Sequence, residues 1–271
     1  MGPALILFLL FIAYPIIRGI VLSFYDASPR YKEFVGLKNW TFLFHRKDFQ
    51  MAMRNTLGYF VVGVPIMTVL PLVIAVMAYN MSTRFQKSLR CILYLPVLTP
   101  MILISTIWRW MFQADGGLIN SILGKRILWI GSNPEAFWSV NIVAVVTGLG
   151  LPVIIYMAAL TQVDKELLEA AKADGANQRQ ILFRVLMPEM LPMMAFVAII
   201  ITIGRFNIWG IIHMLTGGGP AYGTISLINL LYQYSFGMGR YGLGSTVGVL
   251  LMLLISFFSI AQYRLFKRLH A

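Results

Sequence analysis

Glu169-Ala170-Ala171-Lys172-Ala173-Asp174-Gly175, continuing to Val185-Leu186-Met187-Pro188, lies between two long apolar runs of a very hydrophobic chain. Asp164 stands where a helix N-cap belongs, and Glu166 adds negative charge to the first turn. Leu167 and Leu168, then Ala170 and Ala171, are expected to give one small apolar face that another protein's backbone can approach closely, while Lys165, Glu166 and Lys172 keep other faces wet. Asp174-Gly175 supplies a stop, because glycine tolerates the left-handed conformation at a helix C-terminus. Pro188 and Pro192 are expected to break the chain again before the next apolar run. The spacing therefore predicts a short amphipathic helix in a polar loop over 162–188.

Outward from that loop the chain turns apolar. Of 271 residues, 59% are hydrophobic and 12% charged, with a mean hydropathy of +0.77, against roughly 25% charged in a soluble domain. Six segments are long enough to cross about 30 Å of hydrocarbon: Ala4 to Phe24, Leu57 to Asn80, Cys91 to Phe112, Ala136 to Leu160, Met193 to Leu215 and Ser245 to Leu265. Their apolar runs lack the strict alternation of a barrel, so the expected fold is an all-α membrane protein of six transmembrane helices. No Lys or Arg precedes the first run, its apolar stretch is too long for a signal peptide, and no small-x-small cleavage site follows, so it counts as a span. No linker or low-complexity tract divides the chain, and one transmembrane domain is expected to account for residues 1–271.

The one cysteine, Cys91, leaves no internal disulfide and no metal framework, and His45, His213 and His270 are too scattered for a metal site. The net charge of +12 sits mostly in short loops, where headgroups and topology explain it better than nucleic acid does. Gly237-Met238-Gly239-Arg240-Tyr241-Gly242 fits a dinucleotide fingerprint in letters only, because no strand precedes it and a span follows. Gly124-Lys125 lacks the remaining residues of a Walker A loop. Gly244 and Gly248 open the last span in a G-x-x-x-G, for which close helix packing is sufficient reason.

The opening stretch resembles the EAA loop of bacterial ABC-importer permeases: E-A-A, three residues, G, nine residues, then I-x-L-P, with Val185 and Met187 as the softened positions. Further resemblance follows along the chain, in Phe34-Val35-Gly36-Leu37-Lys38-Asn39-Trp40, Asn55-Thr56, Leu95-Pro96, Gly117-Leu118-Ile119-Asn120 and Leu215-Thr216-Gly217-Gly218-Gly219-Pro220. Together these are similar to the carbohydrate-uptake, maltose-permease-like branch of that family. The resemblance implies that Glu169, Ala170, Ala171, Asp174, Gly175 and Pro188 belong to a cytoplasmic coupling loop seated in a separate ATPase. It also implies a second homologous permease, two cytoplasmic ATPase subunits carrying ATP and Mg, and an extracytoplasmic binding protein that delivers a sugar. The chain itself would bind no cofactor, would not be an enzyme, and would lie in the inner membrane with both termini cytoplasmic. Charge counting does not orient it independently: ten Lys and Arg fall on the Glu169 side and nine on the other.

Within the spans, Gly148, Gly150 and Pro152 interrupt the fourth, and Gly204 and Gly210 loosen the fifth. Loosened helices expose backbone groups that are tolerated only against protein or a water-filled cavity. Arg205, Phe206, Asn207 and Trp209 add a cation, an amide and two aromatics, the mixture that holds sugars. The resemblance points to Leu149, Gly150, Phe206 and Asn207 as pathway residues. Arg205 departs from that pattern; its cost in a membrane suggests a role toward an acidic sugar, the alternatives being that it snorkels or pairs with a group on the partner subunit. Arg109, near a span end, reads as an interfacial anchor. A non-sugar cargo such as glycerol phosphate, or an ion-coupled transporter, are the alternatives.

Overall fold

The computed structural model describes residues 2–79 and 81–270, with the side chains of Lys165 and His270 outside that description. Asn80, the expected end of the second span, therefore lies outside the described residues, as does the side chain of Lys165 that was expected to face water. Helix α1 covers Gly2–Leu22. A two-stranded antiparallel hairpin, β1 (Tyr25–Ala27) and β2 (Lys32–Phe34), follows, then α2 (Lys38–Phe44) and the 33-residue α3 (Lys47–Tyr79). Helices α4 (Thr83–Leu98) and α5 (Met101–Met111) precede a short α6 (Leu118–Leu123). Next come α7 (Glu135–Gly148), α8 (Gly150–Leu160), α9 (Lys165–Ala173) and α10 (Gln178–Phe206). The chain closes with α11 (Trp209–Leu215), α12 (Leu227–Tyr232), which runs on through a π turn at Gln233–Gly237, and α13 (Tyr241–His270). Among the described residues four continuous helices are long and apolar enough to cross a membrane, or six spans if each bent pair is one. The fold is an all-helical membrane protein with one small hairpin added.

Three expected spans are bent or shifted, the fourth at the interruption that Gly148, Gly150 and Pro152 were expected to make. The third, Cys91 to Phe112, is bent by 99° between α4 and α5. Pro100 has no N–H to continue the ladder and forces the preceding residue out of the helical region, and Thr99 accordingly sits extended at φ −83°, ψ 131°. The fourth is bent by 42° between α7 and α8, where Gly148, Gly150 and Pro152 cluster. The fifth starts and ends earlier than expected. Pro188 and Pro192 do not break the chain but lie inside α10. A π turn at Leu182–Leu186 absorbs the strain, with Met187 N–H donating to Leu182 O five residues back, so the helix continues past a proline that can neither donate nor tolerate a tight preceding turn. At the other end α10 stops at Phe206, and Leu215 belongs to the separate α11.

Helix α3 forms the axis of the bundle, packed on α7, α8, α10 and α12, while α10 also packs along α13. One core joins Met67, Leu72, Tyr156, Leu160, Met190 and Val197, linking α3, α8 and α10. A second gathers Phe49, Phe206, Leu227, Tyr234 and Leu251, and a third Tyr59, Val140, Ile208 and Ile212. The N-terminal two thirds of α1 buries nothing within the chain; its Leu and Phe side chains face outward, as suits a helix in lipid.

On the hairpin side, polar ties lock the ends of the spans. Asn39 Nδ2 donates to Ser23 O and Tyr25 O, and Thr246 Oγ1 also donates to Ser23 O. The Leu215–Ile225 loop folds back onto α3: Asn55 Nδ2 reaches Tyr222 O and Ile225 O, and Tyr59 Oη reaches Thr224 O at 2.9 Å. Gly244 and Gly248 let α13 close on Ser235 and Leu231; an added side chain would collide at Gly244 and press on Leu231 at Gly248.

Candidate functional site: coupling loop and membrane cavity

Asp164 Oδ1 accepts from Glu166 N at 2.9 Å, an N-cap that starts α9. At its end Gly175 takes φ +76°, and its N–H donates to Lys172 O while Ala176 N–H reaches back to Ala171 O. These two bonds satisfy carbonyls that a helix end otherwise leaves bare. Asn177 and Gln180 then exchange bonds of 2.9 and 2.8 Å in a capping box that opens α10. The expected single apolar face of α9 is divided. Leu168 turns inward onto the core of α3, α8 and α10, whereas Leu167, Glu169 and Ala170 are exposed, because one residue rotates a helix position by about 100°. Asp174 is exposed at the C-cap, and Pro188 lies exposed beyond the π turn, well along α10 rather than in the loop.

The bends in the spans face one another across a cavity of about 420 Å³. Pro96, Thr99 and Met101 line it from the α4–α5 elbow, Thr147 and Leu151 from the α7–α8 bend, and Asn207 from the end of α10. Arg205, Ile208 and Gly210 also contribute wall. Gly150 is buried and its missing side chain is what lets α8 seat against the Leu93 backbone of α4. Leu149, beside it, is half-buried and outside the cavity wall.

Asn207 is exposed on the cavity wall, and its Nδ2 donates to Ile203 O. Arg205 is only 3% exposed, seated in the notch left by Gly63, with Nη2 donating to Met67 Sδ at 2.7 Å and Nη1 without a partner. No carboxylate pairs with it among the described residues, so neither snorkelling nor an internal ion pair accounts for it. Phe206 is fully buried away from the cavity, against Phe60 and Phe258 at 5.5 and 5.8 Å between centroids. Trp209 stacks on His213 and meets Tyr232 at a 49° tilt, outside the wall. The threonines at 99 and 147, and Met67, escaped the sequence reading because nothing in their local pattern distinguishes a cavity wall from a packed helix.

Charged pairs lie away from this cavity. Arg126 holds Asp115 at 2.7 Å on the surface, and its hydrogen bond and charge draw that carboxyl below the ordinary range. Arg46 binds Asp48 at 2.9 Å, and Tyr234 Oη donates to the same carboxylate at 2.9 Å. Burial, assisted by that hydrogen bond, pushes Tyr234 up to about 12.

Residues 68–270 match the family described as binding-protein-dependent transport system inner membrane component. Full-length relatives include a lactose transport system permease protein of Rhizobium radiobacter, 32% identical over 97% of this chain and 91% of that protein. An arabinooligosaccharides transport system permease protein of Halalkalibacterium halodurans is 32% identical over 96% of this chain and 84% of that protein. A bacterial ABC transporter involved in the import of the acidic polysaccharide alginate contains a chain that superposes with a TM-score of 0.87 at 20% identity, covering 99% of this chain and 94% of that one. The chain belongs to the binding-protein-dependent transport system inner membrane component family.

Proposed function

We propose that this chain forms half of the translocation pore of an ATP-driven importer for a sugar or oligosaccharide. As a member of its family it is a multi-pass inner-membrane transport permease that works with a binding protein, not an enzyme. The ion-coupled alternative is thereby set aside. In the proposed assembly a second homologous permease completes the pore and two cytoplasmic ATPases supply ATP and Mg chemistry. The residues 1–271 act as one transmembrane domain, with both termini on the cytoplasmic side.

The observation that carries the reading is how α9 is mounted. Leu167, Glu169 and Ala170 present an outward docking face while Leu168 is embedded in the core shared by α3, α8 and α10. A push on that face reaches helices bordering the cavity, so closure of the ATPases would open the cavity to the binding protein and release would reset it. The carbohydrate reading is supported by relatives described as lactose, arabinooligosaccharide and trehalose/maltose permeases, the last from Thermococcus litoralis at 30% identity over 97% of this chain. A wall that mixes threonine hydroxyls, an amide and apolar carbon suits hydroxyl-rich rings. Non-sugar cargo such as glycerol phosphate remains the second reading, favoured by a Synechocystis relative described as an osmoprotective compounds uptake permease, 30% identical over 98% of this chain.

Arg205 refines the cargo toward an acidic saccharide. Its guanidinium, with Nη1 unpartnered and Nη2 held only by Met67 Sδ, would gain a counter-charge from a substrate carboxylate that reaches it. The test of the main reading is reconstitution with the partner permease, ATPases and binding protein in liposomes. ATP-dependent accumulation of at least one labelled saccharide is expected, and accumulation of glycerol phosphate alone would overturn the sugar reading.

A further inference from the structure

Beyond the cavity, four aromatic side chains from α11 and the end of α12 touch in sequence. Trp209 lies nearly parallel to His213 at 4.7 Å and 13°, and Tyr232 contacts both, at 5.1 and 6.0 Å. Phe236 follows Tyr232 at 5.3 Å. Trp209 is half-buried, His213 and Tyr232 are exposed, and Phe236 is 70% exposed.

The series has a direction. Its inner end is the cavity lip, since Ile208 and Gly210 on either side of Trp209 are cavity wall. Leu227 N–H donates to Thr56 Oγ1, whereas Tyr234 Oη reaches Asp48, eight residues nearer the start of α3. The contacts of α12 and its π turn therefore lie about 12 Å apart along α3, at the helical rise per residue, with the later one nearer the hairpin side. The π turn at Gln233–Gly237 sets the ring of Phe236 beside that of Tyr232.

We infer that Trp209, His213, Tyr232 and Phe236 form a stacking track that hands sugar rings from the hairpin side to the cavity. The inference rests on the carbohydrate reading and on the orientation proposed above, which puts the hairpin side outside. A pyranose or furanose ring has an apolar C–H face that packs on an aromatic ring and hydroxyls around its rim. The exposed imidazole of His213 and the Tyr232 hydroxyl stand at the ring edges, where they can donate or accept. A row of adjacent rings binds weakly at each step and lets an extended oligosaccharide advance from one to the next. Aromatic residues also mark membrane interfaces and subunit contacts. Those roles do not depend on the cargo, whereas a role in stacking on sugar makes uptake slow when the flat face is lost.

The experiment compares Tyr232→Leu and Phe236→Leu with Tyr232→Phe and Phe236→Tyr in the complete reconstituted transporter at saturating binding protein. Lactose, maltose and an arabinose trisaccharide serve as probes. The leucine variants should slow uptake of the transported probe about fivefold, the size of one lost aromatic contact, with the ring-retaining variants near the unaltered rate and ATPase co-purification unchanged. Phe236 is exposed, so its replacement removes no core packing and keeps the test valid if Tyr232→Leu assembles poorly. Unchanged uptake in Phe236→Leu, or equal loss in Phe236→Leu and Phe236→Tyr, overturns the track while leaving the carbohydrate reading intact. Failure of the unaltered complex to carry any probe overturns both.

Discussion

Arg205 Nη2 donates to Met67 Sδ at 2.7 Å, joining the last turn of α10 to the middle of α3 by a bond between a buried cation and a weak, neutral acceptor. Gly63 supplies the room, since an added side chain there would press on the guanidinium. A charge held this way is incompletely compensated, and several kcal/mol of desolvation remain to be recovered by whatever ligand can approach it. With Arg205→Gln at matched expression, uptake of an acidic oligosaccharide should fall about tenfold more than that of a neutral one, corresponding to about 1.4 kcal/mol of selective stabilisation. Equal loss of both would assign Arg205 to the packing of α3 against α10.

Gly150→Ala should be poorly tolerated. The added methyl would meet the Leu93 backbone, which cannot rotate away as a side chain can, so α8 and α4 must separate. Overpacking of this kind costs about 1–3 kcal/mol. A lowered unfolding temperature in detergent and reduced transport are expected together, and an unchanged melting curve would show that the α4–α8 contact gives way freely.

The coupling loop can be tested without touching the cavity. Gly175 at φ +76° would strain any β-branched residue, and Gly175→Val should disturb the turn by about 1–2 kcal/mol. Glu169→Lys instead reverses charge on the exposed face of α9. Both variants should reach the membrane yet lose uptake and substrate-stimulated ATP hydrolysis. Normal values of both activities in both variants would remove α9 from the coupling path.

Tyr234 gives a pH signature. Its pKa is raised from the ordinary 10.0 to about 12 by burial and by the bond to Asp48. The protonated phenol is thus favoured in the folded state, so the stabilisation is complete below pH 10 and is lost as pH climbs toward 12. Thermal midpoints measured from pH 9 upward should fall more steeply for the unaltered protein than for Tyr234→Phe. Parallel curves would contradict the assignment.

Sidedness is open to cysteine labelling in a Cys91→Ser background with an impermeant reagent. Asn39 and Gly218 are buried, the former bonded to two carbonyls, so exposed Arg30 and Tyr222 are the better reporters for the hairpin side. Arg30→Cys and Tyr222→Cys should label from outside intact cells, while Gln180→Cys and Lys267→Cys should not. Labelling of Gln180→Cys from outside would invert the orientation.

Apolar runs, prolines, glycines and capping residues act locally, and for that reason the amino-acid sequence by itself determined the membrane class, the number of apolar segments and the whole backbone course of α9. Asp164, Asp174 and Gly175 needed no distant partner to start and stop that helix. Whether a proline bends a span is not a local matter. Pro100 turns its span by 99°, while Pro188, just past a π turn that takes up its strain, and Pro192 both lie within one continuous α10. Facing directions were likewise set by packing across the bundle. Arg205, Phe206, Asn207 and Trp209 are neighbours in sequence, yet they lie respectively against Met67, against Phe60 and Phe258, on the cavity wall, and against His213 and Tyr232. The aromatic row from Trp209 to Phe236 was invisible in the chain because its members come from two helices separated by the folded-back Leu215–Ile225 loop. The bonds of Asn55, Thr56 and Tyr59 to that loop and the start of α12, with Asn229 Nδ2 donating to Trp209 O, bring them together.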